Sequence, residues 1–230
     1  MSLHRSGRPC LGLLMLDTRF PRVPGDVGHP STFPFPVLRR VVPGAVPASV
    51  VRGSDPALLA PFVAAGAALV REGVVAIATS CGFLARWQRE LQDALPVPVW
   101  TSALLALADW PDRRCGVITI EAASLTPAHF LSVGADPATP VEGIAPGSPL
   151  HRTLLEDRAE LDEADAQAQV VAAGARLLVR EPGLDTLLLE CTNLPPYADA
   201  LRRASGLPVH DIVTLLNARM AALAVGMPSP

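Results

Sequence analysis

The 230 residues carry a formal net charge of -3, with half of the side chains hydrophobic and 18% charged, so nothing in the balance marks a nucleic-acid binder. All 19 basic residues are arginine. With no lysine, the chain has no side chain for a Schiff base to pyridoxal phosphate or to a carbonyl substrate, nor for a phosphate-binding P-loop of the usual kind.

The N-terminal arginines Arg5 and Arg8 precede a short apolar run, Leu11–Leu16, but Asp17 and Arg19 follow without a small-residue cleavage site. The run is predicted to be a buried first strand. Between it and the next strand lies Asp17–Pro36, dense in Pro and Gly, where Phe20, Phe33 and Phe35 point to an ordered loop. Further strands are predicted at Val37–Val42, Val74–Thr79, Val97–Thr101, Gly116–Ile120, Val141–Ile144, Thr186–Glu190 and Pro208–Ile212. Helical periodicity covers Pro56–Arg71, Leu84–Ala94, Ser102–Ala108, Thr126–Val133, Leu150–Val179 with an interruption near Gly174, Pro196–Ser205 and Val213–Val225. Alternation of this kind predicts an α/β fold with parallel sheets. The most apolar stretch, Pro56 to Val70, is bounded by Asp55 and Arg71 and is too short for a bilayer, so no membrane is expected. The four cysteines lie far apart, without a CxxC pair or a histidine at ligand spacing, which predicts neither a metal site nor a disulfide framework. A reducing cytoplasm is the expected location.

The chain also resembles itself. Aligned without a gap from Cys81 and from Cys191, the two segments share Leu84/Leu194, Leu91/Leu201, Ala94/Ala204 and the pairs Pro98-Val99/Pro208-Val209. Upstream, Gly12–Asp17 matches Gly116–Glu121 as glycine, apolar strand and terminal carboxylate. Two pseudo-symmetric α/β halves follow: 1–108, completed by 209–230, and 109–208.

Each half places one cysteine where a strand ends and a helix begins. There a thiol faces the cleft, near unpaired N–H groups and the positive end of a helix, which predicts a lowered pKa. Two such thiols on opposite sides of a substrate suit removal of a proton from one face of a carbon and its return on the other. Charge developing on a neighbouring carboxylate would need donors, for which the N–H groups of Gly82, Thr192 and Asn193 and the side chains of Thr79, Ser80, Thr192 and Asn193 are candidates. Asp17 and Thr18, at the end of the first strand, are further substrate-binding candidates. Asp17, Thr18, Thr79 and Ser80 read equally as caps. The alternative for both cysteines is an inert core thiol. Glu121, at the matching strand end, divides between the same two roles; His210 reads as locally satisfied, and His29 as solvated at the surface, with reach to the site only if the long loop closes as a lid.

Thr79-Ser80-Cys81-Gly82-Phe83-Leu84 and Leu189-Glu190-Cys191-Thr192-Asn193-Leu194-Pro195 resemble the two cysteine motifs of the aspartate/glutamate racemase superfamily. That superfamily includes cofactor-independent amino-acid and hydantoin racemases, maleate isomerases and arylmalonate decarboxylases. The resemblance implies two flavodoxin-like halves, a small carboxylate held between Cys81 and Cys191, no cofactor, no metal, and a fold compatible with a homodimer. It implies a racemase or isomerase of an amino acid or analogue; a maleate isomerase type, a decarboxylase type and a non-catalytic small-acid-binding protein are the alternatives. Two cysteines favour racemase or isomerase, since the arylmalonate decarboxylases keep only the second. Asn193 stands where glutamate racemases tend to have histidine, which disfavours glutamate. Recognition of a second carboxylate falls to arginine, with Arg19, Arg22, Arg39, Arg40 and Arg52 nearest the expected mouth.

Overall fold

The computed structural model describes residues 8–53 and 55–226; Arg5 and the last four residues of the predicted C-terminal segment lie outside that range. Strands β1 (Leu11–Leu16), β2 (Val37–Val42), β3 (Ala76–Thr79) and β4 (Val99–Trp100) form one parallel sheet in the order β2-β1-β3-β4. The second sheet repeats it with β5 (Cys115–Thr119), β6 (Val141–Gly143), β7 (Thr186–Leu189) and β8 (Val209–Asp211), in the order β6-β5-β7-β8. The central strands β1, β3, β5 and β7 are buried throughout, which is why they read as continuous apolar runs and not as alternation.

The duplication extends to individual hydrogen bonds. Ser80 N–H donates to Leu14 O at 2.9 Å and Glu190 N–H to Ile118 O at 2.9 Å. Ile77 N–H donates to Pro98 O at 2.8 Å, and Leu187 N–H to Pro208 O at 2.9 Å, so the matched Pro-Val pairs hold the same place beside β3 and β7. Gly12 and Gly116 are also equivalent: a Cβ at Gly12 would lie 2.6 Å from Ile77 Cδ1, and one at Gly116 would lie 2.5 Å from Leu184 Cδ1.

The helices are α1 (Pro47–Val51), α2 (Leu59–Arg71), α3 (Gln88–Ala94), α4 (Leu105–Ala108), α5 (Pro127–Ser132), α6 (Pro149–Leu155), α7 (Glu163–Arg180), α8 (Ala198–Ser205) and α9 (Ile212–Gly226). Three expectations need correction. The helix predicted from Leu150 to Val179 breaks between α6 and α7, where Asp157 has φ 53° and the Asp162 carboxylate caps α7 by accepting from Ala164 and Asp165 N–H. Gly174 does not interrupt it; a Cβ there would meet Leu201 Cδ1 at 2.4 Å, so the glycine lets α8 approach α7. Finally, Val209–Asp211 pairs with β7 in the second sheet. The return to the first half is made by α9, whose Asn217, Met220 and Ala221 share a groove with Pro9 and Phe35.

The Asp17–Pro36 loop contains no helix or strand, yet Phe20, Val27 and Phe33 are buried, and Phe33 stacks on Phe35 at 5.1 Å. Arg39 braces it, donating to Gly28 O and His29 O at 3.0 Å each.

Because a Cβ at either matched glycine would press on neighbouring Leu and Ile side chains that must shift to admit it, Gly116→Ala is expected to destabilise the fold by about 1 kcal/mol through overpacking. Thermal unfolding should register this as a fall in Tm of about 2–4 °C per kcal/mol. An unchanged Tm would show that the helix-to-strand spacing does not depend on the missing Cβ.

Candidate active site

Cys81 and Cys191 lie just past the carboxyl ends of β3 and β7, and both line one cavity between the halves, with Ser80, Gly82, Thr192 and Asn193. The remaining walls are apolar: Leu16, Phe20, Pro47, Val51, Phe83, Ile120, Leu154 and Leu155. The cavity holds about 20 Å³, roughly the space of one water. A carboxylate with two or three further carbons therefore requires the walls to move outward. Phe20 belongs to the loop, where Asp157 of the second half accepts from Arg19 N–H at 2.6 Å and Phe20 N–H at 3.2 Å.

The two cysteine turns grip each other. Thr192 Oγ1 donates to Ser80 O at 2.7 Å, while Ser80 Oγ accepts from Leu16 N–H at 2.9 Å. A Cβ on Gly82 would lie 2.2 Å from Glu190 Oε1 and 2.4 Å from Glu190 O, so the residue after Cys81 must be glycine for the turns to meet.

Six of the nine sequence-predicted site residues come together here: Ser80, Cys81, Gly82, Cys191, Thr192 and Asn193. The other three do not line the cavity. Thr79 is fully buried and spends its hydroxyl on Cys81 O and Thr101 O. Asp17 is exposed and accepts from Gly44 N–H, and Thr18 Oγ1 accepts from Arg22. Glu121 pairs with Arg52, Ser124 and His151, His29 bonds to Ser31, and His210 packs on Trp110. None of the five arginines expected near the mouth lines the cavity. Arg19 pairs with Asp157, Arg22 with Asp26, Arg40 with Glu72 and Arg52 with Glu121, while Arg39 holds loop carbonyls.

The expected lowering of the thiol pKa values is also overturned. Burial, reinforced by the nearby Glu190 carboxylate, pushes Cys81 up to about 12 and Cys191 well above the ordinary thiol range. The N–H groups of Phe83 and Leu84 favour the Cys81 thiolate, and that of Asn193 favours the Cys191 thiolate, but they are outweighed. Cys81 caps the short 3-10 turn Gly82–Trp87, whereas Cys191 lies four residues ahead of another, Pro195–Tyr197; neither opens directly into the long α-helix whose dipole was expected. Asn193 N–H thus serves its neighbouring sulfur.

Sequence reasoning missed Asp26 and Glu190. Asp26 is buried in the loop; it accepts from Arg22 at 3.0 Å, Gly28 N–H at 2.7 Å and Asn193 Nδ2 at 2.6 Å. Asn193 Oδ1 in turn accepts from Cys191 Sγ at 3.7 Å, so the loop fixes the orientation of the amide beside the second cysteine. Glu190 is fully buried, with Oε2 accepting from Thr119 Oγ1 at 2.6 Å. A carboxylate closing an otherwise apolar strand next to a cysteine was the available signal. Among the described residues, no group of three or more His, Cys, Asp or Glu side chains is arranged to hold a metal, and no helix is long and apolar enough to cross a membrane.

No family model matches the chain. It is 30% identical over 225 residues to a dimethylsulfoniopropionate lyase of Durusdinium sp. clade D, covering 88% of this chain and 71% of that protein. It is likewise 30% identical over 240 residues to dimethylsulfoniopropionate lyase 3 of Emiliania huxleyi, covering 94% of this chain but 60% of the relative. A glutamate racemase of Limosilactobacillus fermentum is 31% identical over 150 residues, covering 61% of this chain and 53% of the relative. Among solved structures, unliganded arylmalonate decarboxylase aligns with a TM-score of 0.62 at 17% identity, covering 96% of this chain and 94% of the other. Allantoin racemase from Klebsiella pneumoniae gives 0.61 at 16% identity, covering 96% and 90%. These two share the fold.

Replacing Asp26 by alanine removes one partner of a buried ion pair and leaves Arg22 and Asn193 unmatched, an expected cost of about 3 kcal/mol. Hydrogen exchange should show faster labelling of the Val27 and Gly28 amides, since these donate to Thr192 O and to Asp26. Unchanged exchange there would contradict the anchoring role.

Proposed function

The chain belongs to the aspartate/glutamate racemase superfamily, in the group that contains the proteins named dimethylsulfoniopropionate lyase, and on that premise we propose that it removes the proton α to the carboxylate of a small cationic acid. Cys81 and Cys191 are the acid–base groups. With a sulfonium on the β-carbon, as in dimethylsulfoniopropionate, the reaction is an elimination. One thiolate takes the α-proton, the C–H electron pair forms the Cα–Cβ double bond, and the C–S bond breaks with its pair leaving on dimethyl sulfide. Acrylate is the other product.

The observation that carries this reading is the charge of the cavity. Two buried thiols share it, and no charged side chain lines it. A dicarboxylate such as aspartate or glutamate would bring a second negative charge with no arginine to meet it. A cationic substrate does the reverse: its positive charge beside the sulfurs favours the thiolate, against the burial and the Glu190 charge that keep the thiols protonated. Thus the substrate supplies the electrostatic activation absent from the walls.

A second reading, racemisation of an amino acid begun by the same removal of the α-proton, is favoured by the presence of both cysteines. Its ammonium group would supply the activating charge. Elimination needs one base and releases a neutral leaving group, whereas inversion needs a base on one face and an acid on the other.

Incubation in deuterated water with dimethylsulfoniopropionate and, separately, with a panel of amino acids discriminates the two by proton NMR. Elimination predicts acrylate signals; racemisation predicts α-deuterium with the skeleton intact. Cys81→Ala and Cys191→Ala are each expected to abolish racemisation. For elimination, one should lower kcat by ~10²–10⁴ and the other by less. Full turnover by both variants, on either substrate class, would contradict the assignment.

A further inference from the structure

Glu190 has no step in the chemistry above, yet it is an ionisable side chain next to both cysteine turns. It immediately precedes Cys191, and its Oε1 abuts Gly82, the residue that follows Cys81. The side chain is fully buried; Oε2 accepts the Thr119 hydroxyl at 2.6 Å, and Oε1 is buried without a hydrogen-bond partner. An unsatisfied buried carboxyl oxygen is destabilising. Packing alone would be served better by an apolar side chain at this strand end.

We propose that Glu190 is a positioning residue for proton transfer, acting through Cys81 and Cys191 together, its charge state setting how readily the pair gives up a proton. This rests on the reading of the two cysteines as the acid–base groups. Burial raises Glu190 to about 7, partly opposed by the Thr119 hydrogen bond. The groups facing the thiols are few. Glu190 acts on both, Arg22 opposes it at Cys81, and Asp26 and the Cys81 sulfur, once ionised, add to it at Cys191. Below about pH 7 the Glu190 carboxyl is neutral and burial remains the main force holding the thiols protonated. Above pH 7 the carboxylate adds its charge and holds both thiols protonated more strongly, so gain of a thiolate and ionisation of Glu190 oppose each other.

Glu190→Gln keeps the shape and the acceptor for Thr119 but removes the charge. Peptide-resolved alkylation of the substrate-free protein with iodoacetamide, followed against pH, reads the thiols one by one. A fall of one unit in thiol pKa raises the thiolate fraction about tenfold while the thiol is still mostly protonated. The variant is expected to react several-fold to about tenfold faster at both Cys81 and Cys191 at pH 8.5. Cys10 and Cys115, whose raised values do not involve Glu190, should be unchanged. Rates at Cys81 and Cys191 that are the same in the variant and the wild-type protein would overturn the proposal. Should the variant fail to fold, the wild-type protein decides. The alkylation profiles of Cys81 and Cys191 must then show an inflection at the pH where the Glu190 carboxyl carbon titrates by ¹³C NMR, and profiles without it would overturn the proposal. No substrate is involved, so this can fail while the assigned reaction stands, and the reverse.

Discussion

The site depends on the direct contact between the two cysteine turns. Thr192 bonds across to Ser80 O, Val27 N–H to Thr192 O, and Gly82 lies against Glu190 with no room for a Cβ. These contacts join the carboxyl ends of β3 and β7, the central strands of separate sheets, and bring two sulfurs into one small cavity. Everything else serves this meeting: duplicated strands present the turns in equivalent positions, and the long loop closes over the seam through Asp26 and Phe20.

The same contact sets the electrostatics. Turns packed this closely leave the thiols buried, and burial opposes the thiolate more strongly than the local N–H groups favour it. Such a site is poor at holding a free base, and on the proposed function it gains one when a cation enters. The arginines are committed elsewhere, each pairing with a carboxylate or holding backbone carbonyls around the cavity without lining it. Asn193 fits the pattern: held by Asp26, it offers its carbonyl to Cys191 without the extra charge an imidazolium would bring.

Much of the fold was legible because burial writes a strong signal. Strands β1 and β2 match their predicted limits, and the six others fall within a residue or two; for the central β1, β3, β5 and β7 the signal is strong because parallel strands covered on both faces are continuously buried. The cysteine match was legible because the duplication preserves local geometry, down to Leu84 and Leu194 N–H donating to Cys81 O and Cys191 O. The cavity walls were not, since Leu16, Phe20, Val51, Ile120 and Leu154 come from separate segments and look like any core residue. Gly174 misled because a glycine in a helical pattern signals either a break or a close neighbour, and only the position of Leu201 decides. The thiol pKa was misjudged for a related reason: exposure at a strand end is local, but its loss depends on the opposite half.

The central claim is that Cys81 and Cys191 flank the α-carbon of a bound carboxylate. A crystal structure with propionate, which keeps the carboxylate and α-carbon but has no leaving group, tests it most directly. The account predicts the α-carbon between the two sulfurs, within van der Waals distance of each, with Phe20 or Leu154 displaced to admit it. Propionate bound with only one sulfur near the α-carbon, or outside the cavity against the arginines, would contradict it.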